Sequence, residues 1–282
     1  MEWSLILFTT ALQLACGLSL ATIWLKYKTI SNSYTRIAAM AVFPIAVCGM
    51  LVAMFHLGKP ANGVYALMNI GTSWLSRENL LSSAFAGAAC LYSFTWWKHK
   101  ESYQTLLGVL TSLLGVCAVA ASAMVYQIPT QIIWNSGWVL LSFFATTLLF
   151  SSFAVFFLSA STGKQPVAKS SLFIMGICGI ALLISVLWMM SILGQATGDP
   201  YLTAKLQYVY KIVTGEYLPW LLVYMLFACL LPIGLMLTYW SGEKANNVNF
   251  RFGLVSFVFI LLGSLAGRSL LYIVGPDNFL PF

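Results

Sequence analysis

The sequence predicts an all-α membrane protein: a single membrane domain over residues 1–282, built as a bundle of eight transmembrane helices. Three observations predict it. The chain is 60% hydrophobic and only 7% charged, whereas a soluble domain carries about a quarter charged residues. Its apolar residues fall into eight runs, most of them about as long as the 20 residues needed to cross a hydrocarbon core. Its basic residues are split unevenly between alternate loops, as membrane orientation requires.

The runs lie at roughly 3–25, 37–57, 79–97, 105–126, 138–160, 171–193, 218–240 and 252–274. Backbone groups in lipid must be paired within the segment, which leaves helices or a closed β-barrel. The runs do not alternate polar and apolar residues, so they are helices. Met1-Glu2-Trp3 lacks the basic region of a cleaved signal peptide. Pro44 and Pro232 fall inside runs and are expected to kink the second and seventh helices. No internal repeat is evident, and the loops 58–78 and 194–217 are the longest, suited to a docking surface or a cap.

Orientation follows from charge. One set of loops carries Lys26, Lys28, Arg36, Lys98, Lys100, Lys164, Lys169, Lys244 and Arg251; the other carries Lys59, Arg77, Lys205 and Lys211. The richer set is cytoplasmic, so both termini are expected on the outer, periplasmic side. Of the acids, Glu2, Glu78, Asp199, Glu216 and Asp277 then lie outside. Tryptophans near the run ends, Trp3, Trp24, Trp74, Trp96, Trp97, Trp134, Trp138, Trp220 and Trp240, match an interfacial belt. The net charge of +7 forms no cluster for nucleic acid. Six cysteines, Cys16, Cys48, Cys90, Cys117, Cys178 and Cys229, stand singly in different runs, with no metal-ligand spacing. They read as small packing residues.

Few polar groups in or beside the runs suit chemistry, and all gather in the outer half. His56 closes the second run. An interfacial histidine satisfied by water or a loop carbonyl accounts for it as well as a functional one does. Glu78 opens the third run, where a helix dipole favours an acid and Ser76 is placed to cap. Arg268 sits about 9 Å inside the end of the last run at 1.5 Å per residue. There it either snorkels to the interface or faces a polar pocket. Gln13 and Tyr126 lie at similar depth. Only His56 is available in a span to ligate a haem, and no cysteines are grouped for an iron–sulfur cluster. Any electron carrier bound here is therefore a diffusible organic molecule, with metal centres in a partner.

Those residues also carry a likeness. Phe8-Thr9, Gln13 and Gly17; His56-Leu57-Gly58 with Pro60; Ile70-Gly71, Ser73, Leu75-Ser76 and Glu78; Val125-Tyr126 and Pro129-Thr130; and Gly267-Arg268 with Tyr272 run collinear over nearly the whole chain. In that order and topology the chain resembles the membrane-anchor subunit of bacterial anaerobic dimethyl sulfoxide reductase and its close paralogues. It departs from them at Asn69 and Lys59, after Tyr272 and in the loop 194–217. The resemblance implies a multi-pass inner-membrane protein of anaerobic respiration that holds a molybdopterin catalytic subunit and an iron–sulfur electron-transfer subunit. It implies binding and oxidation of menaquinol, with no haem or cluster in this chain and no action on the terminal acceptor, dimethyl sulfoxide or a relative. It places His56 and Glu78 at the quinol site. Arg268 joins the expected quinol-binding set because of its burial and its place in the shared motif, and Gln13 and Tyr126 because they lie at similar depth. The alternatives are an anchor of the polysulfide or nitrite reductase type, expected to place ionisable groups deeper, and a solute transporter with a midplane site on broken helices.

Overall fold

The structure is a computed structural model that describes residues 2–30, 33–55, 68–160, 165–240 and 250–275. Among these residues every regular element is a helix. In chain order they are α1 (Trp3–Tyr27), α2 (Ser33–Met54), α3 (Trp74–Trp97), α4 (Glu101–Met124), α5 (Gly137–Ala160), α6 (Gln165–Leu193), α7 (Pro200–Thr214), α8 (Leu218–Val223), a π-helical stretch (Tyr224–Leu230), α9 (Leu231–Trp240) and α10 (Phe250–Ile273). Among the described residues seven helices are long and apolar enough to cross a membrane: α1, α2, α4, α5, α6, the continuous stack from Leu218 to Tyr239, and α10. The eighth expected span, α3, has 24 residues and so a length of about 36 Å. Arg77, Glu78, Ser76 and Ser82 make it more polar than the others.

The helices pack in two successive rings. In the first, α1 lies against α2 and α4, and α3 fills the space between those two. In the second, α5 packs on α6, α6 on α9 and the π stretch, that stretch on α10, and α10 back on α5. The rings meet where α1 lies along α5 and touches α10. Helices in lipid gain little from apolar burial and associate through close packing of small residues. Gly17 makes the α1–α5 joint possible: a Cβ there would stand 2.8 Å from the Thr147 carbonyl oxygen and 2.9 Å from the Phe150 Cβ. Gly17→Val therefore forces the two rings apart. The expected cost is about 1–3 kcal/mol, read as a lower Tm of the purified protein in detergent.

Outward faces are apolar. Ile177, Ile180, Ile184 and Leu187 form an exposed row at helical spacing on α6, where only lipid satisfies them. Trp3, Trp24, Trp74 and Trp97 are exposed near helix ends, while Trp96 and Trp138 are buried and serve packing instead of the belt. Cys16, Cys178 and Cys229 are buried as packing residues; Cys48, Cys90 and Cys117 are on the outside of the bundle.

Local chemistry refines several sequence expectations. The cap of α3 is Ser73, whose hydroxyl accepts from the Ser76 N–H at 3.4 Å; Ser76 itself is buried in the first turn. The α2 helix runs unbroken through Pro44. The chain ahead of Pro232 widens into π turns, with the Leu231 N–H donating to the Leu226 carbonyl. This adjustment accommodates a proline that offers no N–H. The stretch 194–217 contains α7, which the apolar-run reading missed. Its 15 residues are too short to cross, at about 22 Å. Leu206, Val209 and Val213 turn inward while Tyr201, Tyr208 and Tyr210 stay exposed. Asp199 caps it by accepting from the Tyr201 N–H at 2.9 Å.

Candidate functional site

One end of the bundle gathers the starts of α1, α3, α5 and α8 and the ends of α4, α6 and α10. Here the side chains from the polar set converge. Glu78, in the first turns of α3, is 6% exposed. The Ser122 hydroxyl of α4 lies near its carboxyl but outside hydrogen-bond geometry, and that hydroxyl has no partner among the described residues. The helix register explains the meeting. A Cβ on Gly115 of α4 would touch the Phe85 ring of α3 and the Cys16 sulfur of α1, so these three residues share a level. Glu78 and Ser122 each lie two turns, about 11 Å, nearer this end. Ser82, one turn above Phe85, is also buried with an unpartnered hydroxyl.

One turn beyond Ser122, Tyr126 faces the second ring. Its hydroxyl is hydrogen-bonded to that of Tyr272 on α10, and the two rings meet edge to face at 5.9 Å. Both tyrosines are near enough to Glu78 to interact with it electrostatically. Tyr272 interacts likewise with exposed Glu2 at the start of α1. Trp134 walls this pair. It stands edge-on to Tyr126 at 5.2 Å and donates its indole N–H to the Leu271 carbonyl at 2.8 Å.

Arg268 lies one turn deeper than Tyr272 and is 3% exposed, so it does not snorkel. It donates to the Ser142 carbonyl at 3.3 Å and to the Thr146 hydroxyl at 3.5 Å. Its guanidinium lies 3.7 Å from the centre of the Phe143 ring, a desolvated cation–π contact of about 2 kcal/mol. Among the described residues no carboxylate forms an ion pair with Arg268. Its electrostatic neighbours are the hydroxyls of Tyr224, Tyr126 and Tyr272. Gly267 leaves room for the Tyr224 ring, which a Cβ would meet at 2.6 Å. Arg268 and Glu78 are thus linked through the tyrosine pair, which stands near both.

Gln13 is completely buried, and among the described residues neither its amide nitrogen nor its amide oxygen has a hydrogen-bond partner. Because Gly17 abuts Thr147 and Phe150, Gln13, one turn nearer this end, stands level with Thr146 and Phe143, the partners of Arg268. Such an orphaned amide costs about 1–3 kcal/mol unless a ligand or water satisfies it. Of the sequence-derived residues, the structure brings together Glu78, Tyr126 and Arg268 and sets Gln13 at the same depth as Arg268. His56 lies outside the described residues.

Sequence reading missed Ser122, Thr146, Ser142 and Trp134. Hydroxyl residues within apolar runs gave no signal, because most of them bond their own helix backbone, as Thr147 does to Phe143. Tyr272 had a signal: it follows Arg268 by one turn on the same face. The opposite half holds more polar groups than expected. Tyr92 donates to Thr22 at 3.0 Å, Ser112 to Ser19 at 3.3 Å and Lys26 to Gln104 at 2.6 Å. These groups satisfy one another, though Trp96 Nε1 and Arg36 Nε in that half are unpartnered among the described residues; above Phe85 the open groups are Gln13, Ser82 and Ser122. A separate cleft of about 380 Å³ between α1, α2, α5 and α10, lined by Leu14, Leu18, Ile37, Phe150, Phe153 and Phe257, is almost wholly apolar and is not part of the polar cluster.

Comparison with known proteins supplies the class. The family model described as DMSO reductase anchor subunit (DmsC) matches residues 1–274. The chain is 27% identical over 281 residues to the C subunit of anaerobic dimethyl sulfoxide reductase of Escherichia coli K12, covering 96% of this chain and 94% of that one. It is 29% identical over 157 residues to YnfH, an anaerobic dimethyl sulfoxide reductase subunit of the same strain, covering 52% of this chain and about half, 54%, of YnfH. The chain therefore belongs to the DMSO reductase anchor subunit family.

Proposed function

We propose that this chain anchors a molybdopterin catalytic subunit and an iron–sulfur subunit to the bacterial inner membrane, oxidises menaquinol, and passes its electrons to the iron–sulfur subunit for reduction of dimethyl sulfoxide or a related acceptor. Membership of the family supports the anchoring part. One observation carries the quinol part: a buried carboxyl, Glu78, shares one end of the bundle with a buried Arg268, which no described carboxylate pairs, and with the unpartnered side chains of Gln13, Ser82 and Ser122. Buried polar groups are normally satisfied. A carboxyl, a guanidinium and three open polar side chains gathered at one end fit a ligand that carries hydroxyl groups on an apolar body, as a quinol does.

The topology belongs to the same reading. With α3 as the eighth span, the start of α1 and the end of α10 share one side, in keeping with the Glu2–Tyr272 neighbourhood. The basic-loop asymmetry makes that side periplasmic. In the reaction, each quinol gives two electrons to the iron–sulfur subunit and two protons to the outer phase, leaving the quinone. Glu78 accepts a proton from a quinol hydroxyl. Arg268 and Gln13 donate hydrogen bonds toward an oxygen that gains negative charge as the proton leaves, beside the ring of Tyr126. His56, which the resemblance implicates together with Glu78, accepts from the other hydroxyl in this reading; imidazole suits proton exchange near neutral pH.

The test is binding of a fluorescent menaquinol-analogue inhibitor to membranes holding the assembled complex. Wild type is expected to bind, and His56→Ala to bind at least tenfold more weakly while the complex still assembles, the loss of about 1.4 kcal/mol. Equal binding by the variant removes His56 from the site. No binding by the wild type removes the quinol assignment altogether.

A further inference from the structure

Resting on that quinol reading, we propose that Tyr126, Tyr272 and Glu2 form the outward proton line of the site: a proton taken up by Glu78 moves to the Tyr126–Tyr272 hydroxyl pair, then to Glu2 and the outer water.

The need for a line follows from burial. Glu78 is 6% exposed and lies inside the first helix ring, so a proton it accepts must leave through other groups before the carboxylate can accept again. Three surroundings of Glu78 can be compared among the described residues: the level below it, the lipid side and the second ring. The way deeper is closed by Phe85, Cys16 and Gly115, packed in mutual contact one level below Ser82. None of these three hands on a proton readily, and the paired hydroxyls beyond them belong to a separate ladder. The way sideways leads across outward-facing apolar side chains to lipid. The third way leads to the second ring and, of the three, it is the one furnished with hydroxyls among the described residues.

That third route has a direction. Tyr126 and Tyr272 come from different parts of the fold, the end of α4 and α10, and their hydroxyls bond to each other. Each hydroxyl is donor and acceptor at once, so a proton entering at Tyr126 releases another at Tyr272. Both hydroxyls are left neutral once they have turned back, no bond to carbon changes and no electron moves. Glu78 is the carboxylate on the inner side of the pair, and Glu2, exposed at the start of α1, is the one on the outer side. Ser122, with its unpartnered hydroxyl beside Glu78, is placed to hold a bridging water over the first gap, since such a site offers several polar partners. Arg268 flanks both tyrosines from the membrane side, with Tyr224 beyond it. Its fixed positive charge repels an extra proton from the deeper direction and so biases transfer toward Glu2. Trp134, packed on Tyr126 and bonded to the α10 backbone, holds the pair in register.

The experiment uses the complete complex in proteoliposomes, with quinol-dependent turnover, proton appearance at the outer face by a pH-sensitive dye, and affinity for the menaquinol-analogue inhibitor as readouts. Tyr272→Phe removes one hydroxyl and keeps the ring. It is expected to lower turnover by about tenfold or more, to enlarge the solvent deuterium isotope effect, and to leave inhibitor affinity unchanged. Glu2→Gln is a surface change that the fold tolerates. It is expected to slow turnover a few-fold in weak buffer and to recover when a small mobile buffer such as imidazole is added, a rescue that a structural role does not produce. Should Tyr272→Phe fail to assemble, Glu2→Gln decides. Full turnover in both variants, with wild-type isotope effects and normal inhibitor binding, overturns the proton line and leaves the quinol site standing. A wild type that does not bind the inhibitor overturns both.

Discussion

Glu78→Gln is expected to lower menaquinol-dependent turnover of the assembled complex by about 10²–10⁴-fold, the usual contribution of a positioned acid–base group. The substitution keeps the shape of the side chain and its burial beside Ser122 but removes the ability to take up a proton. Because a neutral amide is cheaper to bury than a carboxylate, the variant should assemble with undiminished Tm. Inhibitor affinity should change far less than kcat. The measurement is steady-state turnover together with the Tm and subunit content of the purified complex. A structural helix-start acid gives the opposite pattern: lower Tm and unchanged turnover per assembled complex.

Arg268→Met is expected to reduce turnover by about 10²–10³-fold, as loss of a donor to developing negative charge does elsewhere. The structural consequence should be small, and the hydrogen bonds show why. The Ser142 carbonyl also accepts from the Thr146 hydroxyl at 2.7 Å, so removing the guanidinium orphans neither group. A methionine fills similar space against Phe143, and it ends the cost of burying a charge for which no described carboxylate compensates. Replacing buried charge by apolar side chains is often neutral or stabilising. Turnover and Tm measured together separate the roles: lost turnover with retained Tm marks a functional arginine, and lost Tm with retained turnover marks a packing one. Arg268→Lys should recover only part of the rate, since an ammonium lacks the planar fork.

The fold was legible because lipid imposes simple rules. Length, apolarity and loop charge located seven helices that the structure shows as long and apolar. They also located α3, whose polar first turns, Glu78 among them, set it apart from the other seven. The helix α7 was hidden because an amphipathic surface helix of 15 residues leaves no apolar run. The site was half legible. Arg268 stood out because charge is rare inside a span, and Glu78 and Tyr126 because of their place at helix ends. Their mutual arrangement was not readable from spacing, since α3, α4, α5 and α10 are brought together by ring packing. The tyrosine pair, the Ser142–Thr146 acceptor and the open hydroxyls of Ser82 and Ser122 appear only when the helices are assembled.

The most direct measurement compares menaquinol oxidation by the three-subunit complex in proteoliposomes with that by the two partner subunits alone, under the same supply of terminal acceptor. Oxidation coupled to acceptor reduction is expected only when this chain is present and abolished by the menaquinol-analogue inhibitor. An equal, inhibitor-sensitive rate without the chain would contradict the quinol site proposed at Glu78 and Arg268 and leave this protein a passive anchor.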